Sequence, residues 1–347
     1  MTRLRNGYST GSCATACALA SCLWQMEGEM PEQVTLTLGD TLYTPEIHAL
    51  GLYRCAVIKD AGDDPDITDG CEVWAEVRPH HEDGAIRFIA GEGVGTVTKP
   101  GLKLPPGEAA INPVPRQMIE KAVRSVFGSR AADVTVGITG GANLALKTFN
   151  PRLGIEGGLS ILGTTGIVHP MSEAAMVDTI RLELQMHRAQ GADRIGLVFG
   201  SQGEKALRCL SPDLPCVQIS NFVGDALDIA AELGLSRVLL AGQPGKLVKV
   251  AGGSMQTHSQ YGDGRRETLI AHLALMGAPR FLLETVAGAV TLDGLIPQLL
   301  DSEFCAVFDH LSKAAASYAR ARTHDQVHVD ILMLDSAGQV LGGFHDS

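Results

Sequence analysis

The chain has 347 residues, of which 45% are hydrophobic, 19% are charged and 5% are aromatic, and its formal net charge is -11. This length and composition exclude a disordered chain and favour a globular protein of two domains. The excess of acidic side chains argues against a nucleic-acid partner, so an anionic ligand needs a local basic pocket.

No apolar run approaches the ~18 residues of a membrane span, and no apolar segment of a signal peptide follows Arg3 and Arg5. We therefore expect a cytoplasmic protein with no membrane partner. The eight cysteines form no CxxC pair and are interpreted as reduced thiols. Cys13 and Cys17 lie in an alanine-rich helix predicted over residues 9–26, where buried small side chains are favoured over a metal site. No metal site is predicted.

The first half of the chain reads mainly as sheet. Strand-like runs are followed by a proline- and glycine-rich segment, a helix that Pro115 suits as a first-turn residue, and one more strand. The predicted strands cover residues 34–38, 42–48, 55–59, 72–77, 86–90 and 133–138, and the helix covers 115–127. We predict a sheet-rich α+β domain over residues 1–150.

From residue 159 onward the pattern alternates between strand and helix. Short apolar strands are predicted at 159–162, 194–199, 217–219, 237–240 and 327–334, and helices at 172–190, 223–233, 266–276 and 287–321. This βαβ alternation is typical of a parallel sheet covered by helices. We therefore predict a mainly parallel α/β, Rossmann-like domain over residues 151–347.

An acidic segment follows the strand at 55–59. It reads VIKDAGDDPDITDG over residues 57–70 and contains five aspartates. Because like charges resist joint ionisation, such a cluster raises the proton affinity of some members, and one could act as a general base. The alternative is a polar turn around Pro65 whose carboxylates cap backbone groups. The spacing does not fit an EF-hand loop.

Three glycine-rich turns could approach an anion. Residues 91–95, GEGVG, lack the helix that a dinucleotide site needs, and are better read as a flexible loop carrying Lys99 and Lys103. Residues 242–249, GQPGKLVK, fall short of a P-loop. In the third turn, residues 163–166, two threonines lie between glycines before a helix predicted to begin near Ser172. Two interpretations of this turn are open. Either its backbone N–H groups bind an anion at the N-terminus of the helix, or it is an ordinary strand-to-helix turn.

Seven segments together resemble the cobalt-precorrin-5B C(1)-methyltransferase family of anaerobic cobalamin biosynthesis. They are GYSTGSCATA from Gly7, VIKDAGDDPDITDG from Val57, GEGVGTVTKPGL from Gly91, AINPVPR from Ala110, KTFNPRLGIEGGLSILGTTGIVHPMS from Lys147, SNFVGDAL from Ser220 and GKLVKVAGGSMQTHS from Gly245. The resemblance implies methylation of corrin ring carbon C-1, with S-adenosylmethionine as methyl donor. It also implies a macrocyclic substrate that carries cobalt and many acetate and propionate groups.

The resemblance, taken with the residue patterns, implies site residues as hypotheses. We expect Asp60 or Asp63 to assist proton movement. Basic side chains beside the turns would bind substrate carboxylates: Lys59, Lys99, Lys103, Arg116, Arg152 and Lys246. The methyl-donor site would be lined at the strand ends by Gly163, Thr164, Thr165, Gly166, Ser220 and Asn221.

Some segments depart from the family pattern. Residues 138–144, ITGGANL, and 199–204, FGSQGE, differ from what is expected in relatives, and His169 is given no role.

Two alternative functions stay open: a non-catalytic corrinoid-binding carrier, and a nicotinamide-dependent oxidoreductase, which no intact GxGxxG supports. The oligomeric state is also open, with a homodimer among the options.

Overall fold

The computed structural model describes residues 4–346. The chain divides into two compact units, unit 1 (Met1–Glu173) and unit 2 (Ala174–Ser347). The boundary therefore falls after residue 173 rather than after the predicted residue 150. Residues 151–172 belong to unit 1 because their backbone is hydrogen bonded into it: Ile161 N donates to Ala110 O at 2.8 Å, and Gly11 N donates to Leu162 O at 2.8 Å.

Unit 1 is built from short strands around one long helix. Its strands are β1 (Gly7–Tyr8), β2 (Leu36–Leu38), β3 (Thr41–Tyr43), β4 (His48–Gly51), β5 (Arg54–Ile58), β6 (Glu72–Asp83), β7 (Ile86–Ala90), β8 (Thr96–Val97), β9 (Arg130–Ile138), β10 (Ile155–Glu156) and β11 (Ile167–Val168). Its helices are α1 (Thr10–Glu27), α2 (Pro113–Phe127) and α3 (Gly141–Ala145). The main sheet has the order β4-β5-β6-β9-β7, antiparallel except for the β7–β9 pair.

Helix α1 lies in the core of unit 1, packed against β5, β6 and α2. Ser9 is its N-cap and accepts a hydrogen bond from Ser12 N at 3.1 Å, and the helix ends at Gly28, whose φ of 82° suits glycine. Small side chains let the helix approach the sheet closely. Cys13 and Cys17 are fully buried among them, as predicted, and burial raises the pKa of Cys13 to about 11.

Unit 2 is an α/β unit. Its helices are α4 (Glu173–Ala189), α5 (Ser201–Leu210), α6 (Val223–Glu232), α7 (Pro244–Ala251), α8 (Arg265–Leu275), α9 (Arg280–Gly288), α10 (Ile296–Leu300) and α11 (Val307–Arg322). Its strands are β12 (Arg194–Val198), β13 (Cys216–Gln218), β14 (Arg237–Gly242), β15 (His328–Leu334) and β16 (Val340–Phe344). The sheet order is β13-β12-β14-β15-β16; only the β15–β16 pair is antiparallel.

Successive residues of these strands point to opposite faces of the sheet. On one face, Leu197, Leu240 and Ile331 belong to a large core shared with α4, α6, α7, α8, α9 and α11. On the other face, Val198 and Ala241 form a smaller core with Leu207 of α5. Both faces of β12 and β14 are buried, which explains the apolar runs 195–198 and 238–242 in these strands.

The prediction of a mixed α/β and α+β fold is confirmed, with corrections. The predicted strand 159–162 forms only isolated bridges, Leu159 with Val94 and Ile161 with Ile111. The predicted helix 287–321 is interrupted, since residues 289–292 are not helical and Gly294 lies in a 3-10 turn before α10. Within residues 4–346, no helix is both long and apolar enough to cross a membrane.

Candidate functional site

The acidic loop between β5 and β6 is organised by internal pairing. Lys59 is only 1% exposed, and its Nζ lies 2.7 Å from Asp66 Oδ2. The other oxygen of Asp66 accepts hydrogen bonds from Thr68 N and Thr68 Oγ1. Burial raises the pKa of Asp66, but the hydrogen bond and charge of Lys59 outweigh burial and hold that pKa below its ordinary value. Lys59, predicted to bind substrate, therefore has its ammonium group engaged within the loop.

Asp60 is held ionised by an arginine from the N-terminal segment. Arg5 Nη1 and Nη2 lie 2.5 Å and 2.8 Å from the two oxygens of Asp60, and Gly62 N donates to Asp60 Oδ1 at 2.9 Å. The hydrogen bond from Arg5 lowers the pKa of Asp60 below its ordinary value. The expectation of raised proton affinity is therefore wrong for Asp60 and Asp66, because a cation lies beside each of them.

The remaining aspartates of the loop cap backbone N–H groups. Asp63 Oδ2 accepts from Arg5 N at 2.6 Å, Asp64 Oδ1 from Met171 N at 2.9 Å, and Asp69 Oδ1 from Ala61 N at 2.8 Å. This is the arrangement of a polar turn, the alternative that the sequence left open. The loop gathers the N-terminal segment and the segment before α4 into one exposed polar surface of unit 1.

The turn formed by Gly163, Thr164, Thr165 and Gly166 packs on the N-terminus of α1. Gly166 O accepts from Ser9 N at 3.0 Å and from Ser12 Oγ at 2.7 Å. A Cβ on Gly163, whose φ is 141°, would lie 2.2 Å from Ser9 Oγ. The turn thus directs carbonyl oxygens toward α1, and glycine is required there by close packing, whereas Thr164 and Thr165 are exposed.

The glycines at 91–95 also serve backbone packing. A Cβ on Gly93, whose φ is 73°, would lie 2.0 Å from Ile138 O, and one on Gly95 would lie 2.8 Å from Gly158 O. Leu159 N donates to Gly93 O at 2.8 Å and Gly95 N donates to Leu159 O at 2.9 Å. The repeated glycines are explained by these close backbone contacts, without a nucleotide.

The predicted substrate-binding cations of unit 1 differ in availability. Arg116 holds its own loop, donating to Ile111 O and Ala109 O and pairing with Glu108 at 2.9 Å. Lys99 and Lys103 are exposed on the loop after β8. Thr98 N donates to Gly154 O at 2.7 Å, which fixes that loop beside the segment that carries Arg152. Arg152 is exposed and lies over the ring of Phe149 at 5.6 Å.

Unit 2 contains a crevice at the carboxyl ends of three parallel strands. Its volume is about 670 Å³, and it is lined by the residues that follow β12, β14 and β15, together with one face of α5: Phe199, Gly200, Ser201, Gln202, Gly203, Lys205, Ala206, Cys209, Leu210, Gly242, Gln243, Lys246, Leu334, Asp335, Ser336, Ala337 and Gly338. We call this cavity the strand-end crevice. Helices α5 and α7 both begin at it, each without a side-chain cap.

The predicted residues Ser220 and Asn221 lie one hydrogen bond from the strand-end crevice. They follow β13, and Ser220 has a φ of 50°, unusual for a residue other than glycine. Lys246 Nζ donates to Asn221 Oδ1 at 2.5 Å, and Thr257 Oγ1 donates to the same oxygen at 3.2 Å. Burial, and then the positive charges of Lys249 and Arg265, lower the pKa of Lys246 below its ordinary value.

Comparison with known proteins identifies the family. The CbiD family model matches residues 1–170, and the model of the CbiD C-terminal domain matches residues 256–343. Cobalt-precorrin-5B C(1)-methyltransferase from Alkaliphilus metalliredigens is 41% identical over 347 residues, which cover 98% of this chain and 92% of that protein. The chain belongs to the CbiD family. The resemblance predicted from the sequence is confirmed.

A second curated relative agrees. The enzyme of the same name from Salmonella typhimurium is 43% identical over 319 residues, 89% of this chain and 84% of that protein. A crystal structure of a cobalamin biosynthesis protein (cbiD) from Archaeoglobus fulgidus is 27% identical, covers 79% of this chain and 85% of that one, and has a TM-score of 0.39. Within residues 4–346 no group of three metal-ligating side chains is present.

The two CbiD models leave residues 171–255 unmatched, and most of the strand-end crevice lies there. The sequence prediction gave no role to Gly200, Gly203, Gln243 and Asp335, which line this crevice. The signal available was positional, since FGSQG and GQPG each lie where an apolar strand gives way to a helix. Recognising that they meet requires the order of the strands in the sheet.

Proposed function

We propose that this chain transfers a methyl group from S-adenosylmethionine to ring carbon C-1 of cobalt-precorrin-5B. The observation that carries the proposal is the identity of 41% over 98% of the chain to a protein named for that reaction. Family membership confirms the predicted enzyme class, a C-methyltransferase. The identity of the methyl donor is a further part of the proposal. A C-methylation needs an electrophilic methyl group, and S-adenosylmethionine supplies one.

The chemistry asks the protein chiefly for positioning. A nucleophilic ring carbon forms a bond to the methyl carbon while the bond from that carbon to sulfur breaks, leaving S-adenosylhomocysteine. No covalent bond to the enzyme is needed, so rate enhancement comes from aligning the two ligands and excluding unproductive poses. The cobalt ion is part of the substrate.

The substrate carboxylates are proposed to bind Lys99, Lys103 and Arg152 of unit 1. All three are exposed, and their two loops are joined by the bond between Thr98 and Gly154. Lys59 and Arg116, predicted for the same role, are already occupied by Asp66 and Glu108. Exposed ammonium and guanidinium groups on fixed backbone can form charge-assisted hydrogen bonds with carboxylates.

Asp60 and Asp63 are kept as the proposed proton-transfer residues. Both face the polar surface of unit 1, and both contact Arg5, one through its guanidinium and one through its backbone N–H. Replacing Asp63 by Asn should slow a single turnover at saturating ligands while leaving substrate affinity unchanged. An unchanged single-turnover rate would remove Asp63 from the mechanism.

We also propose that unit 2 is Rossmann-like in the broad sense of a doubly wound sheet. The support is its strand order, which in chain order is 2-1-3-4-5, and its helices on both faces. The antiparallel edge strand β16 is a common addition to such sheets.

Anaerobic incubation with cobalt-precorrin-5B and methyl-labelled S-adenosylmethionine tests the activity. Label in the ring at C-1, with one S-adenosylhomocysteine formed per methyl transferred, is the expected result. Tight binding of the macrocycle without transfer would instead support the corrinoid carrier. A change in ring oxidation state that depends on a nicotinamide nucleotide would support the oxidoreductase.

A further inference from the structure

We infer that the methyl donor binds in the strand-end crevice of unit 2, with Lys246 and the N-termini of α5 and α7 around its carboxylate end. This inference rests on the proposed function, because it supposes that S-adenosylmethionine is the donor. The strand-end crevice thereby becomes the proposed principal donor site in place of the turn at residues 163–166. Asn221 keeps a role as the residue that orients Lys246.

The first argument is position in the sheet. In chain order β12 is the first strand of unit 2, and its neighbours in the sheet are the second strand, β13, and the third, β14. The connections from β12 and β14 therefore leave the sheet in opposite directions, which opens a crevice beyond their carboxyl ends. Ligands of open α/β sheets bind at this switch point, and the strand-end crevice is lined by the residues that follow both strands.

The second argument is size and lining. A volume of about 670 Å³ falls within the range of ~300–1,000 Å³ typical of small-molecule sites. One wall is apolar, with Phe199, Leu210 and Leu334, and suits a purine base. Polar and charged side chains also line the crevice and can fix the orientation of a nucleoside: Ser201, Gln202, Lys205, Gln243, Lys246, Asp335 and Ser336.

Glycines keep this space open. A Cβ on Gly242 would lie 2.4 Å from Phe199 Cδ2, so a larger residue would displace the aromatic ring. A Cβ on Gly203 would lie 3.4 Å from Val198 Cβ, which is an ordinary contact, so packing of α5 on β12 does not require glycine at this position. Gly200, which precedes α5, has no atom within 4 Å of its Cβ position, so its backbone is open to a ligand.

The third argument is charge. Lys205 and Lys246 both line the strand-end crevice, and the uncapped first turn of α5 adds oriented N–H groups. The first turn of α7 adds chiefly Gly245 N–H, because Pro244 has no N–H and Lys246 N donates to Gln243 O at 3.0 Å. These groups suit the carboxylate of an amino acid. Asp335 lies on the opposite loop and is the carboxylate available to an ammonium or sulfonium group, although its Oδ1 also accepts from Ala337 N and Gln339 N.

The turn at residues 163–166 offers less. Gly163 and Gly166 have no room for a side chain because Ser9 and Ser12 fill the space beside them. Two of the carbonyls at this turn, Leu162 O and Gly166 O, accept hydrogen bonds from the first turn of α1. A neutral nucleoside or an amino acid would find a packed surface there.

Cys209 provides the test because it is exposed and lines the strand-end crevice, whereas Cys305 is exposed outside it. Cys209→Trp should fill the crevice without disturbing the core, and should weaken S-adenosylhomocysteine binding and raise KM for S-adenosylmethionine by about tenfold or more. Cys305→Trp is the matched control and should leave both constants within about twofold.

A second measurement follows the reactivity of Cys209 itself, without filling the crevice. In the Cys305→Ser protein, the rate at which iodoacetamide alkylates Cys209 should fall about fivefold at saturating S-adenosylhomocysteine. In the Cys209→Ser protein the alkylation of Cys305 should not change. Unchanged reactivity of Cys209 together with unchanged affinity in Cys209→Trp, in a protein that still transfers methyl groups, overturns the location and leaves the proposed function intact. Absence of both binding and transfer in the wild-type protein overturns the proposed function itself.

Discussion

Arg5 and Asp60 form a two-point ion pair although 55 residues separate them in the chain. Both side chains are about half exposed, so the pair orders the N-terminal segment against the acidic loop more than it stabilises the fold. Its chemical consequence is that the pKa of Asp60 lies below the ordinary value of 3.8, so the carboxylate, which is ionised at neutral pH in any case, becomes a weaker base. If Asp60 takes part in proton transfer, it begins as the base.

We predict that Arg5→Met raises the pKa of Asp60 toward its ordinary value of 3.8, because the largest cause of its lowering is the hydrogen bond from Arg5. The bond from Gly62 N remains and keeps part of the shift. Carboxyl carbon NMR titration of the wild-type and substituted proteins measures it. Arg87→Met, which removes an exposed arginine elsewhere in unit 1, should leave the Asp60 titration unchanged. Equal shifts in both variants would contradict the assignment.

The character of the acidic loop could not be predicted from its own sequence. The density of aspartates indicates repulsion between carboxylates. Their actual hydrogen bonds and ion pairs are set by Arg5, by the burial of Lys59 and by backbone N–H groups such as Met171 N. Two of these three partners are distant in the chain. A local pattern shows which charges are present, and only the fold decides what faces them.

The buried pair of Lys59 and Asp66 should be the main electrostatic determinant of unit 1 stability. Asp66→Ala leaves the ammonium of Lys59 buried without a counter-charge, which should cost about 3 kcal/mol of unfolding free energy. Lys59→Met should cost less, since Asp66 is one-quarter exposed and can be hydrated. The double substitution should cost less than the sum of the two.

The chain's two tryptophans, Trp24 and Trp74, both lie in unit 1, so their fluorescence follows denaturation of that unit. Asp64→Ala, which removes a single backbone cap in the same loop, is the matched control and should cost about 1 kcal/mol. Because the folded-state pKa of Asp66 is lowered, its contribution is complete above about pH 4 and disappears as the pH falls through that pKa. A loss of stability on raising the pH instead would contradict the pairing.

Gly93 should be the least replaceable residue of the glycine loop. Gly93→Ala introduces a Cβ 2.0 Å from Ile138 O at a φ of 73°, and should cost about 3 kcal/mol or more. Gly107→Ala is the control, because its φ is 95° but nothing lies within 4 Å, so only backbone strain of about 1 kcal/mol is expected. Denaturation followed by tryptophan fluorescence compares them. Equal losses would show that packing against Ile138 is not the reason for glycine.

In unit 2 the sequence predicted which segments are strands and which are helices, but it did not predict the strand-end crevice. The apolar strands predicted at 194–199 and 237–240, alternating with helices, indicated a parallel sheet, and the structure confirms one. The crevice depends on β12 lying between β13 and β14, a pairing that no periodicity encodes. Ser220 and Asn221 were placed at a strand end correctly, but their link to the crevice runs through Lys246, 25 residues further along.

Lys99 and Lys103 should contribute to substrate affinity and not to donor affinity. Their loop is fixed by the hydrogen bonds of Thr98 to Gly154 O, at 2.7 Å from N and 2.9 Å from Oγ1, so the exposed ammonium groups can bind carboxylates at little cost in backbone entropy. We predict that Lys99→Met and Lys103→Met each raise KM for cobalt-precorrin-5B about fivefold, with kcat and KM for S-adenosylmethionine nearly unchanged. The effect should shrink as ionic strength rises, because exposed charge pairs are screened.

Lys121→Met, which removes an exposed lysine from α2 of the same unit, is the control. If it raised KM equally, general attraction of an anionic substrate would explain the result, and this loop would have no special role.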